Sequence, residues 1–100
     1  MAGNDYRAKP RNDRASALVR QLMVAKGWTP DEVALKSGPA GDPNEAVSRR
    51  TVYRVLNESH VPSLSKQFEL AQTFDSRLTP LHLWGHAPLP EFLRDMGVYA

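Results

Sequence analysis

The sequence predicts an all-α domain: five short helices and then a short C-terminal helical extension. Three observations carry that expectation. Apolar residues recur at three- and four-residue spacing from Arg14 onward. Helix-start signals, in which Thr, Ser or Asp precedes a proline or a glutamate three positions on, punctuate the chain. No stretch alternates apolar and polar residues in the manner of a half-buried strand.

At 100 residues the chain is one domain. The predicted limits are a disordered basic arm over 1–13, a main domain over 14–86 and a C-terminal extension over 87–100. The arm is polar, contains Pro10 and offers almost nothing to bury. The first helix starts at Arg14. Its stripe is Leu18, Leu22 and Ala25, with Val19 and Met23 beside it, and Gly27 closes it. The second has Thr29 as cap, Pro30 in the first turn and Glu32 at the capping-box position, with Trp28 and Val33 at the staple positions. It carries Ala34 and Leu35 and stops at Gly38-Pro39.

Two starts for the third helix are compatible with the sequence. Asp42-Pro43-Asn44-Glu45 repeats the cap, proline and glutamate signal, and the local cues lean to it. The alternative has Ser48 as the cap and 39–46 as loop. In both, Val52, Val55 and Leu56 form the apolar face, while Arg49, Arg50, Tyr53, Arg54 and Asn57 mostly point away from it. Val61-Pro62 breaks the chain, and Ser63 caps a fourth helix with Leu64, Phe68, Ala71 and Phe74 on one stripe. Thr79-Pro80 opens a fifth, with Leu81 and Trp84, ending near Gly85. Pro88 and Pro90 bracket a link, and Glu91 to Met96 form one or two turns before Gly97.

The chain is 41% hydrophobic and 24% charged, in the range of soluble globular domains. It has no cysteine, which excludes disulfides and cysteine-based metal sites. No window approaches 18 apolar residues and the N-terminal stretch lacks an apolar core, so neither a membrane span nor a signal peptide is expected, and a cytoplasmic location is. The net charge of +2 is uneven: residues 1–30 hold six Lys/Arg against two acidic residues, and the rest is near neutral. Such asymmetry suggests an anionic partner.

Two stretches, LVRQLMVAKGWTPDEVALKSG (18–38) and VSRRTVYRVLNESHVPSLSKQFELAQTFD (47–75), resemble the phage-repressor, or Cro/XRE-type, helix-turn-helix family. The resemblance covers about 14–85. It implies a five-helix lambda-repressor-like helix-turn-helix bundle and a sequence-specific regulator of transcription, of phage or bacterial type and acting as a repressor. Double-stranded DNA is the implied partner, bound by a homodimer with the recognition helix 48–58 in the major groove. Three positions depart from the family. Eight extra residues, 39–46, separate its second and third helices. Pro30 stands where the family has a phosphate-holding glutamine. Leu56 stands where an acidic residue is frequent, and Asn57-Glu58-Ser59-His60 fills a turn that usually contains glycine.

The major groove admits one helix and displays a distinguishable donor and acceptor pattern. Arg49 and Arg50 have the reach and the fork of donors to pair with guanine. Arg54 and Tyr53 suit a base or a phosphate, and Ser48 and Thr51 suit phosphate. Asn57 is either a turn residue or a phosphate contact. Ser63 and Lys66 are either an ordinary cap and surface lysine or an anion site at the start of the fourth helix. Arg7, Lys9, Arg11 and Arg14 form a candidate DNA-contacting arm, against the simpler reading of a solubilising tail.

His82 and His86 are four apart, but the only other histidine is His60, so no metal site is expected. No catalytic constellation is present, and the sequence predicts neither an enzyme nor a cofactor. Trp84 with Leu83, Leu89 and Phe92 is a candidate dimer patch. The sequence leaves one alternative function open: an antitoxin-like or other protein-interaction module on the same fold, docking a protein partner through LPEFLRDMGVYA (89–100).

Overall fold

The structure, a computed structural model, describes residues 11–38 and 46–99. Six helices lie among them: α1 (Asp13–Lys26), α2 (Pro30–Ser37), α3 (Arg49–Glu58), α4 (Leu64–Phe74), α5 (Pro80–Leu83) and α6 (Glu91–Asp95). The described residues contain no strand, only an isolated antiparallel bridge between Arg11 and His60. The fold is all-α.

Local chemistry sets most helix ends. Asn12 caps α1 by accepting the Ala15 N–H at 2.9 Å, which satisfies one of the donors a helix start leaves unpaired. At the other end Gly27 adopts φ 71°, and the N–H groups of Gly27 and Trp28 return to the Val24 and Met23 carbonyls. Glycine takes this left-handed turn without the Cβ penalty. The expected capping box at α2 is present: Glu32 N–H donates to Thr29 Oγ1 at 3.2 Å, and Thr29 N–H donates to Glu32 Oε1 at 3.1 Å. Gly85 has a steric role, since a Cβ there would stand 2.9 Å from the Cα and carbonyl oxygen of Leu81.

One core gathers residues of all six helices, with Val47, Leu78 and Val98 from outside them. Leu18, Leu22, Val33, Val47, Val55, Leu70, Leu78, Leu83 and Leu93 are fully buried. Helix α3 packs on α1 and α2, α4 packs on the same pair, and α5 bridges α1 and α4. Trp28 stacks on Phe74 with ring centroids 5.9 Å apart, and the ammonium groups of Lys26 and Lys36 lie over its ring. The tryptophan is half-buried because its other neighbours are these long, solvated side chains.

Several expectations are corrected. The chain is already folded at Arg11 and Asn12, so the disordered arm does not extend to residue 13; residues 1–10, with Arg7 and Lys9, lie outside the described residues. Helix α3 starts at Arg49, capped by Ser48, and Ala46 and Val47 are not helical. A reading helix continuous from Asp42 is therefore ruled out, although 39–45 themselves lie outside the described residues. Val47 is fully buried, and seating that side chain requires the backbone to turn inward just before the helix. The apolar stripe of α4 is rotated from the expected one: Leu70, Ala71 and Phe74 are buried, but Leu64 and Phe68 are exposed. Only the C-terminal half of α4 is seated on the core. In α5 the buried residue is Leu83 rather than Leu81, because four residues form one turn and that turn is aimed by its contacts with α1 and α4.

The C-terminal segment belongs to this core. Leu93 and Val98 are buried. Gln21 and Tyr99 exchange two hydrogen bonds: the Gln21 amide donates to the Tyr99 carbonyl at 2.7 Å, and Tyr99 N–H donates to Gln21 Oε1 at 2.8 Å. Arg77 lies over the Phe92 ring at 3.7 Å while its guanidinium pairs with Asp75.

Candidate nucleic-acid interface

Helix α3 buries Val52, Val55 and Leu56 and turns the opposite side outward. Arg50, Tyr53, Arg54 and Asn57 fall at i, i+3, i+4 and i+7, so they form one stripe along that outer side. With Glu58 they line a shallow recess of about 340 Å³. Arg50 and Asn57 are exposed, Tyr53 is 42% exposed, and Arg54 is half-buried, with its Nε 3.8 Å from the Glu58 carboxylate.

The other expected residues of α3 stand on its flanks or at its start. Arg49 lies beside α2, its guanidinium 3.9 Å from Asp31. Ser48 Oγ accepts the Thr51 N–H at 3.2 Å, and the two hydroxyls are 3.0 Å apart. Both hydroxyls are thus engaged in the cap, and each stays close enough to the surface to share a lone pair or proton with an anion. The outward stripe therefore narrows the base-reading candidates to Arg50, Arg54, Tyr53 and Asn57, with Arg49, Ser48 and Thr51 at the edge.

The C-terminal end of α3 is tied to α1. Ser16 Oγ and Arg20 Nη2 both donate to the Leu56 carbonyl at 3.1 Å. Asn12 N–H donates to the Ser59 carbonyl at 2.9 Å. Ser59 takes φ 54° at the C-terminus of α3, in the turn where the resemblance expects glycine. A hydrogen bond with the Ser59 side chain, then one with Arg11, holds the Asp13 carboxyl below its ordinary pKa. These ties fix the outer stripe relative to the core.

Arg14, Lys66 and Ser63 each make contacts within the domain. Arg14 is on α1, not on an arm, and its Nη1 donates to the carbonyls of His82, Leu83 and Gly85 at 3.3–3.4 Å. The last carbonyls of α5 have no helical partner, and the guanidinium supplies the donors. Lys66 Nζ donates to the Ala46 carbonyl. Ser63 makes no side-chain cap; its hydroxyl lies 3.3 Å from that of Ser65. Gln67 makes the first backbone bond of α4, its N–H donating to the Ser63 carbonyl, and its side chain donates to the Pro62 carbonyl just before the helix. Arg11 is exposed and pairs with Asp13 at 3.2 Å.

The candidate dimer patch is not an exposed surface. Leu83 is fully buried, and Trp84, Leu89 and Phe92 pack against the core. Likewise the candidate docking segment 89–100 places Leu93 and Val98 inside the domain. A larger depression of about 420 Å³ lies between this segment and the start of α1, lined by Leu89, Pro90, Val98, Tyr99 and the two guanidiniums of Arg14 and Arg94. His82 Nδ1 accepts the Thr79 N–H at 3.0 Å, a capping role for that ring nitrogen. Among the described residues no three metal-ligating side chains converge, and no helix is long and apolar enough to cross a membrane.

The residues that sequence reasoning missed are Ser16, Arg20, Asp31 and Ser37. Ser16 and Arg20 are four apart beside the apolar stripe of α1, a spacing that signals a shared target but does not name it. The chain matches no protein-family model, no curated protein and no solved structure.

Proposed function

We propose that this protein binds duplex DNA sequence-specifically through α3 and regulates transcription, as a repressor of the phage-repressor, or Cro/XRE-type, helix-turn-helix class. The observation that carries this reading is the outer stripe of Arg50, Tyr53, Arg54 and Asn57 on a helix whose opposite face is wholly committed to the core. Such a helix is held by its buried face and presents long donors one helical turn apart on its free side. Arg50, at the second position of α3, pairs with guanine O6 and N7, and Arg54, one turn on, takes a base edge or the adjoining phosphate. Ser48 and Thr51 approach the backbone at the groove wall.

In this reading α2 and α3 form the helix-turn-helix pair, and the 39–46 segment lengthens its turn. Two copies bind half-sites about 34–36 Å apart. Arg11, with Asn12, lies beside the C-terminal end of α3, against His60 and Ser59, and so adds a positive charge near the same duplex.

Selection from a random duplex library tests the proposal. It expects recovery of a shared motif, protected in footprinting, and loss of that preference in Arg50→Ala. Recovery of no motif, or equal selection by the Arg50→Ala variant, would overturn it.

A further inference from the structure

Among the described residues, the backbone just before α3 is held by two side chains. Val47 is fully buried and lies outside any helix, so its N–H takes no part in a helical ladder. A buried N–H left unpaired is strongly disfavoured. Ser37, the last residue of α2 and itself buried, supplies the partner: its Oγ accepts the Val47 N–H at 2.9 Å. The same hydroxyl donates to the Ala34 carbonyl at 2.6 Å, with the Val47 carbonyl a longer 3.3 Å away. One residue earlier, the Ala46 carbonyl accepts from Lys66 Nζ of α4. One residue later, Ser48 caps α3.

We infer that Ser37 and Lys66 are positioning residues for the reading helix: they clamp Ala46 and Val47, set where α3 begins, and thereby place Arg49 and Arg50. This inference rests on the DNA-binding reading of α3 and assigns to Lys66 a role other than phosphate contact. The reason is mechanical. Eight residues more than the related turn enter between α2 and α3, and a lengthened loop by itself leaves the start of the following helix free to shift. A clamp on Ala46 and Val47 removes that freedom, because everything after it hangs from a fixed buried side chain and a fixed cap. The carbonyl of Ala46 engages one of the three donors of the Lys66 ammonium.

The test uses the full chain and the variants Ser37→Ala, Ser37→Thr and Lys66→Met. Amide hydrogen exchange is measured on each, and duplex binding is titrated against a selected site and a scrambled one over a range of salt concentrations. In Ser37→Ala the Val47 amide exchanges about tenfold faster or more, while amides in the middle of α1 keep their rates. Preference for the selected site falls by about tenfold, since a reading helix displaced at its start misplaces both arginines. Ser37→Thr keeps the hydroxyl and restores the protection of Val47. Lys66→Met lowers the preference about threefold and leaves the slope of log affinity against log salt as in wild type.

Unchanged Val47 exchange and unchanged site preference in Ser37→Ala would overturn the clamp. So would a folded Ser37→Thr variant that leaves Val47 unprotected. A salt slope reduced by about one in Lys66→Met, with site preference retained, would make Lys66 a phosphate contact instead. If the wild-type chain binds no duplex, the DNA reading fails, and the clamp stands or falls on the exchange of Val47 alone.

Discussion

The carboxylate of Asp31, in the first turn of α2, stands 3.9 Å from the guanidinium of Arg49, in the first turn of α3. Both side chains are more than half exposed, so the pair is weak as a stabilising contact, in the range of about 0–1 kcal/mol. Its consequence is electrostatic. A phosphate approaching Arg49 meets a negative charge at the same place. Asp31→Asn is expected to raise duplex affinity about two- to fivefold at low salt, with the gain shrinking as salt is added, because the interaction is between exposed charges. Binding titrations at two salt concentrations check this; weaker binding in the variant would show that Asp31 instead orients Arg49 for DNA.

Arg50 stands at the N-terminal end of the outer stripe, and its substitution reads base recognition most directly. Arg50→Ala is expected to lose about 1–3 kcal/mol on the selected site and to relax preference at one base position. Arg54→Ala removes a side chain that is half-buried beside Glu58, and is expected to lower affinity with less change in preference. Competition binding on single-base variants of the site separates the two outcomes.

The two glycines that punctuate the fold answer to different physics and should rank accordingly. A Cβ on Gly27 meets nothing within 4 Å, so Gly27→Ala pays only for the left-handed backbone, about 1 kcal/mol. A Cβ on Gly85 meets the backbone of Leu81 at 2.9 Å, and backbone atoms do not step aside as a side-chain tip would. Gly85→Ala is expected to lose about 1–3 kcal/mol, the larger of the two. Denaturant unfolding of both variants measures the order.

Asp75 and Arg77 make a pH-dependent link. Hydrogen bonds from the Arg77 side chain hold the Asp75 carboxyl down at a pKa of about 2, against an ordinary value of 3.8. A depressed carboxylate stabilises the fold fully above its unfolded pKa, and that contribution fades as pH falls from about 3.8 through about 2. Arg77→Ala removes the partner and its stacking on Phe92. The stability difference from wild type is expected to be constant above about pH 4 and to shrink steadily toward pH 2. The part left at pH 2 reports the lost stacking. A difference that stays flat through this window would assign the whole effect to packing.

Much of this molecule follows from sequence because the deciding contacts are short in range. Asn12, Thr29, Gly27 and Ser48 act on groups within a few residues of themselves, so helix starts and stops are written locally. Ser48 and Asp42 carried comparable start signals, and the non-helical backbone at Ala46 and Val47, bonded by Lys66 and Ser37, separated them. The stripe on α3 is equally local, since helical spacing alone turns Arg50, Tyr53, Arg54 and Asn57 away from Val52, Val55 and Leu56. Tertiary structure decided everything that depends on a partner distant in the chain. Arg14 reaches carbonyls 68 to 71 residues away, and Lys66 reaches one 20 residues away. Their charge made both candidates for DNA, and their neighbours gave them structural work. Leu83 rather than Leu81 enters the core, and Leu64 and Phe68 stay outside it, because a short helix is aimed by what it packs against and not by its own pattern. The sequence by itself determined the helices and the face of α3; where that face begins follows from the burial of Val47 and from the side chains of Ser37 and Lys66, ten and twenty residues distant from their targets, that bond the backbone there.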